Sequence, residues 1–157
     1  MGIELNGTIS EFHSKLLAKG LTVSPQNNKY PTGMRSYNGV FSGKDAQIIV
    51  WYNPRSKQVY RAKAVIERYG KDMIEQLQKD MESKLDIKYG TEYKYSSKVK
   101  DDYLHEFTQY SYLTDEGSID LFVVSSSYVD QGEFYLHIDY KDQINSTQNK
   151  NDEMDDL

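Results

Sequence analysis

Apolar residues recur at helical spacing near the start of the chain. Ile9, Phe12 and Leu16, with Leu17 alongside, mark one helix face. Thr8 and Glu11 have the spacing of a capping box, in which hydroxyl and carboxylate satisfy the free N–H groups of the first turn. Gly20 suits the left-handed position that closes a helix. The pattern predicts a first helix over 8–19. Residues 22–33, with Pro25, Asn27, Asn28, Pro31 and Gly33, read as a loop. The period then drops to two, and strands are expected over 35–42, 45–52 and 58–67, turned at Gly43-Lys44 and Asn53-Pro54-Arg55-Ser56. In the third, Tyr60, Ala62, Ala64 and Ile66 share one face, and Val59, Arg61, Lys63 and Val65 the other. A second helical stripe, Ile74, Leu77, Met81 and Leu85 with Met73 beside it, predicts a helix over 71–88 that Gly90 stops. Strand-like runs return over 92–98, 103–113, 118–126 and 133–141. The last points Phe134, Leu136, Ile138 and Tyr140 inward and Tyr135, His137 and Asp139 outward. From Gln143 onward amides, hydroxyls and acids dominate, so 143–157 is expected to be a disordered, acidic polar tail.

These elements imply an α+β fold: two helices on one face of an antiparallel meandering sheet, within a single domain over 1–142. A helix closed by glycine, a connector and about three strands occur twice, over 8–67 and 71–141. That is the order of a duplicated α-β-β-β unit, although residue identity between the halves is slight. Helices on one face leave the other to solvent. With Ile48, Val50 and Tyr52 inward, Trp51, Arg61, Lys63, Tyr135 and His137 share that open face.

Composition narrows the function classes. The chain has 157 residues, room for one ordinary core. Fourteen tyrosines suit half-buried sheet surfaces. The net charge is −5. Residues 150–157 carry one cation against four acids, a net of −3, which leaves −2 for the rest. So balanced a body has no general attraction for phosphate backbones, and no nucleic-acid partner is expected. The absence of cysteine excludes disulfides, thiol catalysis and Cys-based zinc sites. No run approaches the roughly 20 apolar residues of a membrane-spanning helix. The first residues lack a charged segment followed by an apolar one. The protein is therefore cytoplasmic, or periplasmic or exported with its signal peptide removed. Oligomeric state is not encoded in any pattern here.

No motif specifies a reaction. His13, His105 and His137 have no metal-ligand spacing, and neither a metal nor a cofactor is expected. The acid pairs Asp101-Asp102 and Asp115-Glu116 are adjacent residues that point apart, unlike carboxylates facing across a cleft. Ser125-Ser126-Ser127 lacks the glycines of a nucleophile elbow and reads as a polar strand end. Residues 88–100 interleave Lys88, Lys94, Lys98 and Lys100 with Tyr89, Tyr93 and Tyr95. A single-stranded nucleic-acid groove would use such a pattern, but a charged edge strand explains it more simply.

The opening Gly2-Ile3-Glu4-Leu5-Asn6-Gly7-Thr8-Ile9-Ser10-Glu11-Phe12-His13-Ser14-Lys15-Leu16-Leu17-Ala18-Lys19-Gly20 resembles the start of a group of small, often exported bacterial proteins. Gly39-Val40-Phe41-Ser42-Gly43, Val59-Tyr60-Arg61 and Lys88-Tyr89-Gly90 are similar to theirs too. The repeated helix-plus-strands order resembles β-lactamase inhibitor protein and PepSY-like domains, which implies an exposed sheet face gripping a protein or peptide. The expected function is thus a non-catalytic binding module, with Trp51, Arg61, Tyr135 and His137 as its binding residues. A hydrolase with an unfamiliar site is the alternative, and it requires a deep pocket gathering groups of shifted pKa.

Overall fold

The computed structural model describes residues 5–126 and 132–154. Gly2–Glu4 of the opening pattern, Ser127 of the serine run and the last three residues of the tail lie outside them. The fold is α+β, and its element order is α1 (Ile9–Ala18), β1 (Thr22–Val23), a short 3-10 turn (Asn27–Lys29), β2 (Met34–Phe41), β3 (Lys44–Tyr52), β4 (Val59–Tyr69), α2 (Lys71–Tyr89), β5 (Lys94–Lys100), β6 (Glu106–Leu113), β7 (Gly117–Ser125), β8 (Phe134–Asp142) and α3 (Gln143–Met154). The strands form one open antiparallel sheet in the order β1-β2-β3-β4-β8-β7-β6-β5. Helix plus four strands occurs twice, and the order reads the same outward from the β4–β8 seam in either direction. The extra strand of the first half, β1, falls in the segment read as a loop. Its two residues pair Thr22 with Asn38 and Val23 with Tyr37, too few for an alternating signal.

Both expected helices form where their stripes lie. Thr8 Oγ1 accepts from the Glu11 N–H (3.3 Å) and Glu11 Oε2 from the Thr8 N–H (2.7 Å), completing the capping box. Helix α1 buries Ile9, Phe12 and Leu16, and α2 buries Ile74, Met81 and Leu85. They pack on continuous cross-strand rows. Tyr37, Ile48, Ala64, Ile138 and Leu121 stand opposite one another across five strands, followed by Ala46, Ile66, Leu136 and Val123. All are buried, so this face holds the core. A network fixes the outer end of α2. Lys94 Nζ reaches Glu82 (2.5 Å) and Asp86, and the Tyr112 hydroxyl donates to Asp86 Oδ1 (2.6 Å). Burial alone would lower the Lys94 pKa, but its hydrogen bonds to Asp86 and Glu82 raise it. Lys94 therefore secures an edge strand, the structural reading of the lysine–tyrosine stretch.

Two local expectations change. Tyr52 pairs with Val59 while Trp51 pairs with Arg61, so Tyr60 is an extra, unpaired residue. Such a bulge reverses alternation. It turns Val59, expected beside Arg61, into the core, where it is fully buried. The second change concerns the tail: residues 143–154 are helical. Asp142 Oδ1 accepts from the Asn145 N–H (2.8 Å), as an N-cap residue does. Asn145 and Ser146 side chains donate to the carbonyls of Val59 and Tyr60. Buried Asn53, in the β3–β4 turn, donates to Asp152 (2.6 Å). Polar ties to strand ends hold α3, so no apolar stripe announces it.

The β6–β7 turn is pressed against this junction. Gln143 N–H donates to the Glu116 carbonyl (3.0 Å), and a Cβ on Gly117 would stand 1.8 Å from the Lys141 carbonyl oxygen. Gly117→Ala must displace backbone and is expected to cost roughly 2–4 kcal/mol. Urea unfolding checks this, and a loss below about 0.5 kcal/mol would contradict the close approach. Asp142→Ala is expected to cost about 1 kcal/mol and speed amide exchange in α3, read by hydrogen exchange.

Candidate functional site

On the face opposite α1 and α2, strand pairing lines up Trp51, Arg61, Lys141 and Ser118 in one row. Ser36, Ile49, Lys63, Asp139 and Asp120 form the next, and Gln47, Val65, His137 and Phe122 the third. Part of this face is covered. Asn27 Oδ1 accepts from the Ser36 N–H (2.9 Å), and Gln47 Nε2 donates to the Tyr30 hydroxyl (3.1 Å) and Ser36 Oγ (3.0 Å). The loop around the 3-10 turn thus lies over the β2–β3 portion, and Ser36 is fully buried. The central rows on β4, β8 and β7 form the candidate site.

Its hub is Asp139, only 2% exposed, which accepts from Arg61 Nε (2.8 Å) and Nη2 (2.5 Å) in a bidentate pair. The carboxylate holds the Arg61 pKa up. The guanidinium in turn lies over the Trp51 ring, 4.4 Å from its centroid, a stacking that suits its planar, weakly hydrated charge. Asp120 is occupied as well, by Lys141 Nζ (2.8 Å) and Ser111 Oγ (2.7 Å). Lys63 is different. Its ammonium lies 5.6 Å from the Trp51 ring centroid and 5.9 Å from that of Phe122. Among the described residues no carboxylate comes within ion-pair distance of it. Burial is the main cause of its lowered pKa; Asp139 opposes that shift, and Arg61 and Lys141 add to it.

Phe122 packs on His137 at 4.9 Å between centroids. His137 Nδ1 is buried without a hydrogen-bond partner among the described residues. Burial first, then the positive charge of Lys63, pushes the ring down to about 4, so it is neutral at pH 7. The structure therefore joins three of the four expected residues, Trp51, Arg61 and His137, through Lys63 and Phe122. Tyr135 shares the face but stands six positions along β8 from Lys141, about 20 Å at strand rise. Its hydroxyl donates to Glu133 (2.9 Å). Phe122 and Asp139 were missing from the expected set. Alternation gave Asp139 its outward direction, but nothing marked it as the partner of Arg61.

A second cluster resembles a catalytic triad in composition only. The Ser125 hydroxyl donates to Asp101 Oδ2 and lies 3.0 Å from His105 Nδ1. The carboxylate takes the only hydroxyl proton, so Nδ1 must carry its own proton and donate to Ser125. His105 then cannot deprotonate Ser125 through that nitrogen, the reverse of nucleophile activation. Burial alone would raise the Asp101 pKa, but hydrogen bonds from Ser125 and from the His105 and Tyr103 backbone lower it. Ser125 and His105 are both buried, and the cluster clamps the β5–β6 loop onto β7. His13 likewise packs on Tyr37, with Nδ1 3.1 Å from the hydroxyl.

A cavity of about 560 Å³ lies on the helix face, between α1, the end of α2 and the β6–β7 turn. Among the described residues no group of three or more His, Asp or Glu side chains is arranged to hold a metal ion, and no helix is long and apolar enough to cross a membrane. No protein-family model, curated protein or solved structure matches this chain.

Two outcomes test the electrostatics. Arg61→Leu removes both hydrogen bonds of the buried Asp139 carboxylate and leaves it only Lys141, at 3.9 Å; the expected cost is about 2 kcal/mol, less than for a fully buried pair because Arg61 is 30% exposed. Adding Asp139→Leu should recover most of that loss in denaturant unfolding. For His137, the unfolded ring takes up a proton below about pH 6.5, whereas the folded ring stays neutral down to about 4. Its contribution is complete above pH 6.5 and is lost as the pH falls towards 4, by up to about 3 kcal/mol. His137→Phe should flatten the stability profile across that window; an unchanged slope would contradict the buried neutral ring.

Proposed function

We propose that this protein is a non-catalytic binding module whose open sheet face grips a segment of another protein or a peptide, one presenting a carboxylate beside an apolar side chain. The observation that carries this reading is Lys63, a half-buried cation flanked by two aromatic rings, whose neighbouring carboxylates are already held by Arg61 and Lys141. An incoming carboxylate would supply the missing counter-charge, and Trp51 and Phe122 would take the apolar neighbour. Aromatic anchors with a desolvated charge are the usual centre of a binding patch. The partly exposed Trp51 is already stacked by a guanidinium that Asp139 holds, a pre-arranged contact that limits the ordering cost of association. The resemblance to proteins that use an exposed sheet face is consistent with this reading.

Selection from a displayed random-decapeptide library tests it. Enriched peptides are expected to carry Asp or Glu next to a large apolar residue. Their affinity should fall at least tenfold with Lys63→Gln or Trp51→Ala, and much less with Tyr135→Ala. Enrichment without acidic residues, or affinity unaffected by Lys63→Gln, would overturn the assignment.

A further inference from the structure

The helix-face cavity has a composition of its own. It lies between residues of α1 and the end of α2, Ala62 and Ala64 of β4 line it, and Gly117 borders it from β7. Ala62 and Ala64 leave room that larger side chains fill elsewhere on the same face. Phe12, Leu16, Ile48 and Ile119 complete apolar walls, and the volume lies within the range of small-molecule sites. Tyr140 lines the cavity, and no described residue hydrogen-bonds its hydroxyl, whose pKa is raised by burial and, secondarily, by Tyr89. A neutral phenol oxygen of this kind accepts from a donor inside the cavity.

Charge around the cavity selects that donor. Asp115, Glu116 and Asp142 stand against Lys88. Lys63 and Lys141, which also border the space, direct their ammonium groups to the opposite face, where they meet Trp51 and Asp120. Helix α2 ends at this rim with Tyr89, and the partial negative charge of a helix C-terminus favours a cation. We propose that the cavity is a binding site for a cationic amphiphile, an apolar chain or ring system carrying an ammonium head, with the head at the acidic rim within reach of Tyr140. This site is independent of the open face, since β4 and β8 present alternate residues to the two sides.

Calorimetric titration with three probes of equal chain length and different heads tests it: decylammonium, decanol and decanoate, each below its aggregation threshold and at physiological salt. Saturable one-to-one binding of decylammonium is expected, with decanol weaker and decanoate at least tenfold weaker. Ala64→Leu should abolish binding while unfolding at the same or a higher temperature. Tyr140→Phe should weaken decylammonium three- to tenfold. The exposed pair Asp115→Asn/Glu116→Gln, which leaves the cavity walls unaltered, should bring decylammonium to the level of decanol. Lys63→Gln should change none of these values. The proposal is overturned if decylammonium does not saturate a single site, if decanoate binds as well as decylammonium, or if the Asp115/Glu116 pair leaves the head preference intact. Undiminished binding to a folded Ala64→Leu protein would overturn it too.

Discussion

The antiparallel pairing of β4 with β8 is the constraint on which everything else rests. It joins two meanders that are separate in the chain, and it sets Arg61 opposite Lys141, Lys63 opposite Asp139 and Val65 opposite His137. On the other side of the same strands it sets Ala64 opposite Ile138 and Ile66 opposite Leu136, the middle of the core. A slip of one residue would exchange the two sets and place charges beneath the helices. The Arg61–Asp139 bond crosses this seam and is satisfied only in the native register. The cost of a displaced, buried carboxylate thus opposes any other alignment.

From that seam the two faces acquire different chemistry. Beneath the helices, the paired strands contribute large aliphatics at one end and Ala62 and Ala64 at the other, so packing closes around Ile66 and Leu136 and opens towards Tyr140. On the face away from α1 and α2, the seam collects charge. Asp139 and Asp120 are consumed internally, by Arg61 and Lys141, and the remaining cation is Lys63. Loop and helix border this patch: the 3-10 turn lies over β2 and β3, and α3 is tied to the start of β4. What is left exposed is a narrow aromatic and cationic strip.

Much of this was legible in the sequence because burial imposes a period. The stripes of α1 and α2, the meanders and the outward direction of Arg61, Lys63, His137 and Asp139 all follow from alternation. Alternation gives a face but not a neighbour. Arg61 and Asp139 lie 78 positions apart, and only pairing across the seam makes them partners. For the same reason Trp51 and Tyr135 read as companions although they occupy distant parts of the face. The Tyr60 bulge inverts one residue, Val59, which no local signal foretells. Helix α3 escaped notice because side-chain amides and hydroxyls bind it to strand carbonyls, and such contacts leave no hydrophobic pattern.

The central proposal is that the half-buried Lys63 at the seam receives a carboxylate from a partner. It is tested most directly by the pKa of His137, measured by NMR in the free protein and with a saturating acidic peptide taken from the library selection. Free His137 should titrate near 4, and the bound state should titrate higher, because a carboxylate at Lys63 offsets the charge that helps to depress it. A free value near the ordinary 6.5, or one that the bound peptide leaves unchanged, would contradict the account.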